Sequence, residues 1–273
     1  MNRIKDYEKL KNDICKWMID YATLPKKYQR CDENGFWSVS KKFPYWVIGV
    51  SGGIDSAVAS TLACESGLEV IAVNMPLLSQ ERDTFLADVH LKFLQKKYIA
   101  NCGIQIHSLS KIYVNYLTQL GKTHPVLNAS GLSNANTKSR LRMMTLYHIA
   151  GSFRGCVVGT GNKVEDYGVG FYTKYGDGGV DIGPIADLYK TEVRELAKHL
   201  GIDKRIIEAP PTDGLWEDGR SDEDQIGATY EELEEAMEYG TGPAVEILER
   251  FREQNEHKML PIPTFKLQKE HLN

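Results

Sequence analysis

The residues with the clearest chemical potential form the hexapeptide Ser51-Gly52-Gly53-Ile54-Asp55-Ser56, which follows the apolar run 45–50 and precedes the helix-forming segment 57–63. A strand that turns through glycines into a helix presents unpaired backbone N–H groups to the space above the turn. The positive end of the helix dipole points in the same direction. The hexapeptide is therefore predicted to bind an anion.

Asp55 within this turn indicates a phosphate site that uses a metal ion. The usual nucleoside-triphosphate loop ends in Gly-Lys-Ser or Gly-Lys-Thr; it is absent here, and no lysine lies near the turn. A carboxylate repels bare phosphate, but Mg²⁺ can bridge the two because it prefers oxygen ligands. The alternative interpretation is that Asp55 only complements the helix dipole in the first turn.

Five further segments carry the charged, hydroxyl and glycine residues that a site for a polyanionic ligand requires. They are residues 136–143, 159–165, 174–181, 211–213 and 256–258. Within the second segment, Glu165 would supply a second carboxylate near Asp55 and complete a Mg²⁺ site. Taken alone, each segment is also compatible with a solvated loop or a helix terminus.

The elements that must position these groups are predicted by short β-branched runs separated by long segments of helical character. The runs are residues 45–50, 68–73, 104–109 and 155–159. This spacing predicts an α/β fold, a doubly wound parallel sheet with helices on both faces. Ligands of such sheets bind beyond the carboxyl ends of the strands. Ser51 and Gly159-Thr160 are therefore expected on one rim.

Two helices are predicted within the sheet region. Residues 80–101 carry apolar residues at a spacing of three to four, which predicts a buried stripe of Phe85, Leu86, Val89, Phe93, Leu94 and Tyr98. Residues 187–201 predict a helix with Asp187 as its N-cap and Gly201 at its end. Lys190 would lie in its first turn, where a cation opposes the dipole. Lys190 is therefore either a functional residue or a lysine that is merely solvated.

The remaining segments carry less information. Residues 24–44 lack periodicity and predict an irregular excursion before the first strand. The C-terminal third predicts helices over 222–237 and 243–256, followed by an extended segment 260–265.

Composition favours a cytoplasmic globular protein. The chain has 273 residues, 42% of them apolar, and a formal net charge of -4, which argues against wrapping nucleic acid through bulk positive charge. The N-terminus is charged without an apolar signal region, and no run is long enough to cross a membrane. The scattered cysteines are expected to be reduced packing thiols: Cys15, Cys31, Cys64, Cys102 and Cys156.

Taken together, the motifs resemble those of the ammonia-dependent NAD synthetases of the N-type ATP pyrophosphatase superfamily, from about Tyr45 to Pro261. The Ser-Gly-Gly-x-Asp-Ser loop is shared by the whole superfamily and implies only ATP chemistry. The more specific stretches are residues 136–143, 160–165, 171–179 and 211–213, with Ser221-Asp222-Glu223 following them.

The resemblance implies an adenine nucleotide alpha hydrolase-like, Rossmann-like fold and a single NAD synthetase domain over residues 1–273. The expected parts are an N-terminal helix and excursion (1–44), an ATP pyrophosphatase core (45–210) and a C-terminal helical region with a lid tail (211–273).

The resemblance also implies roles for individual residues. Asp55 and Glu165 would bind Mg²⁺ and, with Lys190, matter most for the rate. Contacts to the co-substrate ATP are expected from Gly49, Val50, Ser51, Gly52, Gly53, Ile54, Asp55, Ser56, Thr160, Lys190 and Thr212. Contacts to deamido-NAD are expected from Arg140, Lys174, Asp181, His257 and Lys258.

The implied reaction has two steps. The nicotinate carboxylate of deamido-NAD attacks the α-phosphorus of ATP and releases pyrophosphate, and ammonia then displaces AMP to give NAD. The expected ammonia source is the solution or a separate partner chain, since the chain has no room for a glutaminase domain. A homodimer is also expected. Asn74 stands where many relatives carry an arginine near the adenine.

Two other classes of protein remain as alternatives. A different superfamily enzyme is possible, such as a tRNA-thiolating or tRNA-modifying adenylase or a GMP synthetase core. Thiolation would need paired cysteines near the site, which the sequence does not indicate for Cys64, Cys102 or Cys156. A nucleotide-binding module without catalysis would have no need of Asp55, Glu165 and Lys190, which are all present.

Overall fold

The computed structural model of the protein describes residues 3–23, 30–31, 37–38, 42–123, 131–212, 214–216 and 219–268. Its strands are β1 (Arg30–Cys31), β2 (Trp37–Ser38), β3 (Tyr45–Gly49), β4 (Glu69–Asn74), β5 (Cys102–Ile106) and β6 (Gly155–Val158). Its α-helices are α1 (Tyr7–Ala22), α2 (Ile54–Glu65), α3 (Glu81–Lys97), α4 (Ser110–Thr123), α5 (Gly131–Phe153), α6 (Lys190–Leu200), α7 (Lys204–Ile207), α8 (Asp222–Ile226), α9 (Tyr230–Tyr239) and α10 (Val245–Met259). One π-helical turn covers Val164–Val169.

The central sheet is parallel, with strand order β5-β4-β3-β6. The predicted doubly wound α/β fold is confirmed. Val47 of β3 lies opposite Ile71 of β4 and Val157 of β6. These strands read as nearly continuous apolar runs because helices cover both of their faces.

Each face of the sheet has its own core. Trp46 and Ile48 point into a core that they share with buried residues of α1, α2 and α6. Val47 points the other way, into a core with residues of α4 and α5. Because successive side chains point to opposite faces of a strand, β3 contributes side chains to both cores.

The C-terminal helices form a third core at the carboxyl end of the sheet. Val164 and Val169 of the π-helical turn pack with Tyr230 and Leu233 of α9 and with Leu248 of α10. This packing brings the last third of the chain against the segment that follows β6. The division into parts at residues 44 and 210 stays a prediction.

Several predicted elements differ from the observed ones. Helix α3 ends at Lys97 and leaves Phe85 of the predicted stripe 51% exposed, because its buried side instead includes His90 and Leu91. Helix α6 begins at Lys190, so the prediction that Asp187 is its N-cap was wrong. Tyr189 is the N-cap, and its backbone N–H donates to the Glu192 carboxylate at 2.9 Å.

The predicted C-terminal helix over 222–237 is interrupted. Gly227, at φ +87°, ends α8, and Thr229 then caps the N-terminus of α9. Residues 260–265 are neither helix nor strand. Most of the excursion 24–44 lies outside the described residues. Its described residues include β1 and β2, which pair antiparallel. Across the described part of the chain, no helix is both long and apolar enough to cross a bilayer.

Candidate active site

The turn between β3 and α2 is shaped by Gly52 and two serines. Gly52 has φ +97°, and a Cβ built on it would lie 2.4 Å from the carbonyl oxygen of Asp83 in α3, so only glycine fits. Ser51 N–H donates to Ser56 Oγ at 3.2 Å, and Ser56 Oγ–H donates to the Gly53 carbonyl at 2.9 Å. The turn is therefore held by its own side chains.

This turn lines a cleft at the carboxyl edge of the sheet. All eleven residues predicted to contact ATP line the cleft, as does Glu165. The turn contributes residues 49–56, and Thr160 follows the neighbouring strand β6. Lys190 and Thr212 come from later segments. The sheet thus gathers groups from distant positions of the chain at one rim. Asp213, the last residue of the predicted motif 211–213, lies outside the described residues.

Three charged side chains meet in the cleft. The Lys190 ammonium nitrogen lies 2.6 Å from Asp55 Oδ2 and 3.0 Å from Glu165 Oε1. The Lys190 side chain is 3% exposed, and each carboxylate side chain is 17% exposed. The Asn162 side chain contacts both acidic residues. Its N–H approaches Asp55 Oδ1 at 3.4 Å, and its amide oxygen Oδ1 accepts the Glu165 backbone N–H at 3.2 Å.

The electrostatics of this cluster follow from its burial. Burial by itself lowers the pKa of Lys190, but Asp55 and Glu165 outweigh this effect and raise that pKa above its usual range. Burial raises the pKa of Asp55, and the neighbouring Lys190 opposes that rise. The cluster sets two carboxyl groups against one ammonium group, which favours a further cation in the cleft.

The donor set fits Mg²⁺, which prefers carboxylate and phosphate oxygens. The carboxylates of Asp55 and Glu165 come from the ends of β3 and β6 and contact the same ammonium group, so they lie close together. Within the described ranges, no three His, Cys, Asp or Glu side chains are grouped to hold a metal. Two carboxylates would therefore share the ion with oxygens of a bound phosphate and water.

Sequence reasoning missed Tyr230, the first residue of α9. Its phenol donates a hydrogen bond to Glu165 Oε1 at 2.7 Å, and its oxygen lies 3.3 Å from Asp222 Oδ2. The Lys190 ammonium lies 4.7 Å from the centre of the Tyr230 ring. Nothing in the spacing of the sequence signals these contacts, since Tyr230 follows Glu165 by 65 positions.

The loop 171–181 forms a wall of the cleft and is fastened to α5. Ser139 Oγ–H donates to Asp177 Oδ1 at 2.5 Å, and the Asp177 backbone N–H donates to Ser139 Oγ at 2.8 Å. Thr173 Oγ–H donates to Asn136 Oδ1 at 2.6 Å. The segments 136–143 and 174–181, predicted as separate polar clusters, are thus partly one hydrogen-bonded unit.

The five residues predicted to contact deamido-NAD do not line the cleft. Arg140 approaches the Lys174 carbonyl at 3.4 Å, and the Lys174 ammonium donates to the His257 carbonyl. The Lys258 ammonium donates to the carbonyls of Gly170 and Tyr172 at 2.8 and 2.9 Å. These four residues join α5, the loop 171–181 and α10 outside the cleft wall.

Asp181 lies apart from those four residues. Its Oδ2 accepts the Val157 backbone N–H at 2.8 Å, and its Oδ1 accepts the Tyr147 hydroxyl at 3.0 Å. Asn74 is buried in the cleft wall, where its side-chain N–H donates to the Val50 carbonyl at 3.0 Å. Asn74 therefore joins the ends of β4 and β3.

Two cysteines pair in space although the sequence gives no sign of it. The thiols of Cys64, near the end of α2, and Cys102, at the start of β5, lie close enough to shift each other's pKa. Cys102 begins its strand, so this pair lies at the amino edge of the sheet, opposite the cleft. Cys15, Cys64 and Cys156 are free and buried, as packing thiols are expected to be.

The fold and the cleft define an α/β protein with a glycine turn and paired carboxylates at the carboxyl edge of a parallel sheet. The chain belongs to the NAD synthase family, whose model matches residues 38–271. The resemblance inferred from the motifs is therefore confirmed.

Individual relatives agree with this family. An NH(3)-dependent NAD(+) synthetase of Methanococcoides burtonii is 42% identical over 70% of this chain and 70% of its own length. One from Carboxydothermus hydrogenoformans is 38% identical over 78% of this chain and 85% of its own length. The solved structure of NMN synthetase from Francisella tularensis superposes with a TM-score of 0.79 at 30% identity, covering 97% of this chain and all of that one.

Proposed function

We propose that the protein is an ammonia-dependent NAD synthetase that converts deamido-NAD to NAD, with ATP cleaved to AMP and pyrophosphate. The observation that carries this proposal is the convergence of Asp55, Glu165 and Lys190 beside the anion-binding turn. Family membership and the names of the relatives support the acceptor and the ammonia dependence.

The chain's own groups account for the first step. Backbone N–H groups of the turn and the N-terminus of α2 hold the phosphates of ATP. Mg²⁺, held by Asp55 and Glu165 when bound, would neutralise phosphate charge. Lys190 stabilises the negative charge that develops on the departing pyrophosphate. Adenylation turns the nicotinate carboxylate into a good acyl donor, so ammonia can displace AMP without a covalent enzyme nucleophile.

The outer residues are proposed to hold the dinucleotide. Arg140 and His257 are exposed, and they are linked through Lys174 to the loop that forms the cleft wall. A dinucleotide with its nicotinate in the cleft would extend across this wall. Guanidinium and ammonium groups there would pair with its pyrophosphate.

We also infer a cytoplasmic homodimer that acts on small molecules and not on nucleic acid. Helices α4 and α5 expose Val114 and Met144 at 49% and 57%, two apolar side chains that contact with a second copy would cover. Light scattering should give twice the chain mass. Met144→Glu should shift the protein towards monomer, and Tyr239→Glu, at an exposed tyrosine of α9, should not. A monomeric parent protein would refute the dimer.

A second candidate acceptor is nicotinate mononucleotide. The Francisella tularensis protein, called an NMN synthetase, matches nearly the whole chain at 30% identity. The predicted dinucleotide contacts also lie outside the cleft, whereas the contacts predicted for ATP lie within it.

One assay distinguishes the two acceptors. Purified protein is incubated with ATP, Mg²⁺ and ammonium together with either deamido-NAD or nicotinate mononucleotide, and NAD, NMN, AMP and pyrophosphate are quantified by chromatography. Deamido-NAD is expected to give the larger kcat/KM. Preferential NMN formation would overturn the acceptor assignment. Pyrophosphate release without any acceptor would overturn the proposed reaction.

Asp55→Asn tests the proposed cation site within this reaction. The amide keeps the size of the side chain but removes its charge. NAD formation should disappear while the thermal unfolding profile stays cooperative. A fully active Asp55→Asn variant would overturn the metal role of this residue.

A further inference from the structure

The motif Ser221-Asp222-Glu223 has no role in the reaction described so far. Ser221 caps α8, and the other two residues contact Tyr230. Glu223 Oε1 accepts the Tyr230 backbone N–H at 3.1 Å, and Asp222 Oδ2 lies 3.3 Å from the Tyr230 hydroxyl. The motif therefore holds Tyr230 by its backbone and places the Asp222 carboxylate beside its hydroxyl group.

Tyr230 and Lys190 bind the same oxygen of Glu165. The Tyr230 hydroxyl donates to Oε1 at 2.7 Å, and the Lys190 ammonium donates to that atom at 3.0 Å. Among the described residues, no hydrogen-bond donor contacts the other oxygen, Oε2. Because Glu165 lines the cleft, this arrangement leaves Oε2 available to a ligand there.

The position of Tyr230 is rigid. Tyr230 is fully buried in the core formed by the π-helical turn with α9 and α10. It begins α9, whose N-terminus is closed by the reciprocal hydrogen bonds of Thr229 and Glu232. A hydrogen bond from so rigid a donor restricts the rotamers of Glu165.

We propose that Tyr230, whose backbone is held by Glu223, is a positioning residue that presents Glu165 to a divalent cation bound with ATP. This inference rests on the proposed function, in which Glu165 is a metal ligand. Tyr230 is not among the residues that line the cleft. Its hydroxyl acts through Glu165, and its ring lies against the Lys190 ammonium. Loss of the hydroxyl alone should therefore weaken cation binding and slow turnover without changing acceptor binding.

Tyr230→Phe tests this role because it removes only the hydroxyl oxygen. Binding of Mn²⁺, used as a spectroscopic probe for Mg²⁺, is titrated by electron paramagnetic resonance in the presence of α,β-methylene-ATP. The Kd for Mn²⁺ is expected to rise by about tenfold to a hundredfold, the usual effect of losing a partner of a metal ligand. The kcat should fall while the KM for the acceptor stays unchanged.

Two further variants complete the test. Tyr239→Phe removes a hydroxyl from the 64% exposed tyrosine at the other end of α9 and should change neither value. Glu223→Gln should raise the Kd for Mn²⁺ less than Tyr230→Phe does, because glutamine keeps a side-chain oxygen that can accept the Tyr230 backbone N–H.

Unchanged Mn²⁺ affinity in folded Tyr230→Phe would overturn the proposal, and so would a lower thermal midpoint accompanied by normal Mn²⁺ binding. Weaker Mn²⁺ binding in a protein that forms no NAD would support the positioning role and refute only the assigned reaction.

Discussion

The Lys190 ammonium nitrogen lies 2.6 Å from Oδ2 of Asp55, although 135 positions separate the two residues. Lys190 is the first residue of α6, where a cation opposes the helix dipole. Asp55 lies in the first turn of α2, where a carboxylate is favoured. The carboxylates of Asp55 and Glu165 offset the unfavourable position of Lys190, which explains a buried lysine at a helix N-terminus.

Lys190→Met should abolish most activity, because methionine keeps the length of the side chain but carries no charge. Loss of one group that stabilises transition-state charge costs about a hundredfold to a thousandfold in kcat. The change also leaves Asp55 and Glu165 without their shared cation, which should lower the free energy of unfolding by about 3–5 kcal/mol. Steady-state NAD formation and urea unfolding at neutral pH measure the two effects.

Lys198→Met is the matched control on the same helix. Lys198 is exposed and pairs with Glu195 at 2.6 Å across one helical turn. Its replacement should change the free energy of unfolding by about 0.5 kcal/mol or less. Equal activity losses in the two variants would contradict the role assigned to Lys190.

Gly52→Ala should disrupt the turn that is proposed to bind the phosphates of ATP. The backbone angle φ of +97° disfavours alanine, and the added Cβ would meet the Asp83 carbonyl at 2.4 Å. The KM for ATP should rise, and the thermal midpoint should fall. Gly67→Ala is the control, since Gly67 has φ +76° with no atom within 4 Å of the added Cβ. It should lose only about 1 kcal/mol and keep its KM. Unchanged ATP kinetics in Gly52→Ala would disprove this geometry.

Arg3→Ala should destabilise the N-terminus of α6. Arg3 donates to both oxygens of the fully buried Glu192 at 2.9 and 2.8 Å. Its removal leaves a buried carboxylate without its cation, at a cost of about 3 kcal/mol in the free energy of unfolding. Arg205→Ala removes a similar two-point pair with Asp203, but at the surface, and should leave the free energy of unfolding nearly unchanged.

The lowered pKa of Glu192 also predicts how the effect of Arg3→Ala depends on pH. Burial tends to raise its pKa, but hydrogen bonds from Arg3 and from backbone N–H groups lower that pKa below its usual range. Such a group stabilises the fold above its unfolded pKa, and the contribution disappears as pH falls through the folded value. The difference between parent and Arg3→Ala in urea unfolding should therefore shrink below about pH 4. A constant difference would argue against the ion pair.

His90 should make the fold sensitive to mild acid. Burial lowers its pKa to about 4; Nε2 lies 2.9 Å from Ser60 Oγ, and Nδ1 has no hydrogen-bond partner among the described residues. The unfolded chain binds this proton near pH 6.5 and the folded chain only near pH 4. The free energy of unfolding therefore falls by about 3 kcal/mol as pH decreases across that interval.

His90→Gln should reduce this dependence in urea titrations between pH 4 and 7. His107→Gln, at an exposed histidine beside Gln105, should keep the pH dependence of the parent. An identical pH dependence in His90→Gln and the parent would show that another group is responsible.

Much of the fold and part of the site could be predicted from local patterns. The apolar runs around Val47, Ile71 and Val157 predict strands because a strand buried on both faces tolerates few polar residues. Chain order and the rule that ligands bind at carboxyl ends then place Ser51 and Thr160 on one rim. The N-cap of α6 was misassigned because Asp187 and Tyr189 both precede a helical pattern, and only the partner Glu192 distinguishes them.

Local sequence therefore determines the turn at Gly52, the parallel sheet and the residue types that bear charge, because these depend on neighbouring residues and on side-chain periodicity. Tertiary structure alone decides that Tyr230 and Lys190 share one oxygen of Glu165 and that Lys258 binds loop carbonyls outside the cleft. Such contacts depend on how helices from distant parts of the chain pack against the sheet. Burial then sets their strength, since a charge removed from water interacts more strongly with its neighbours.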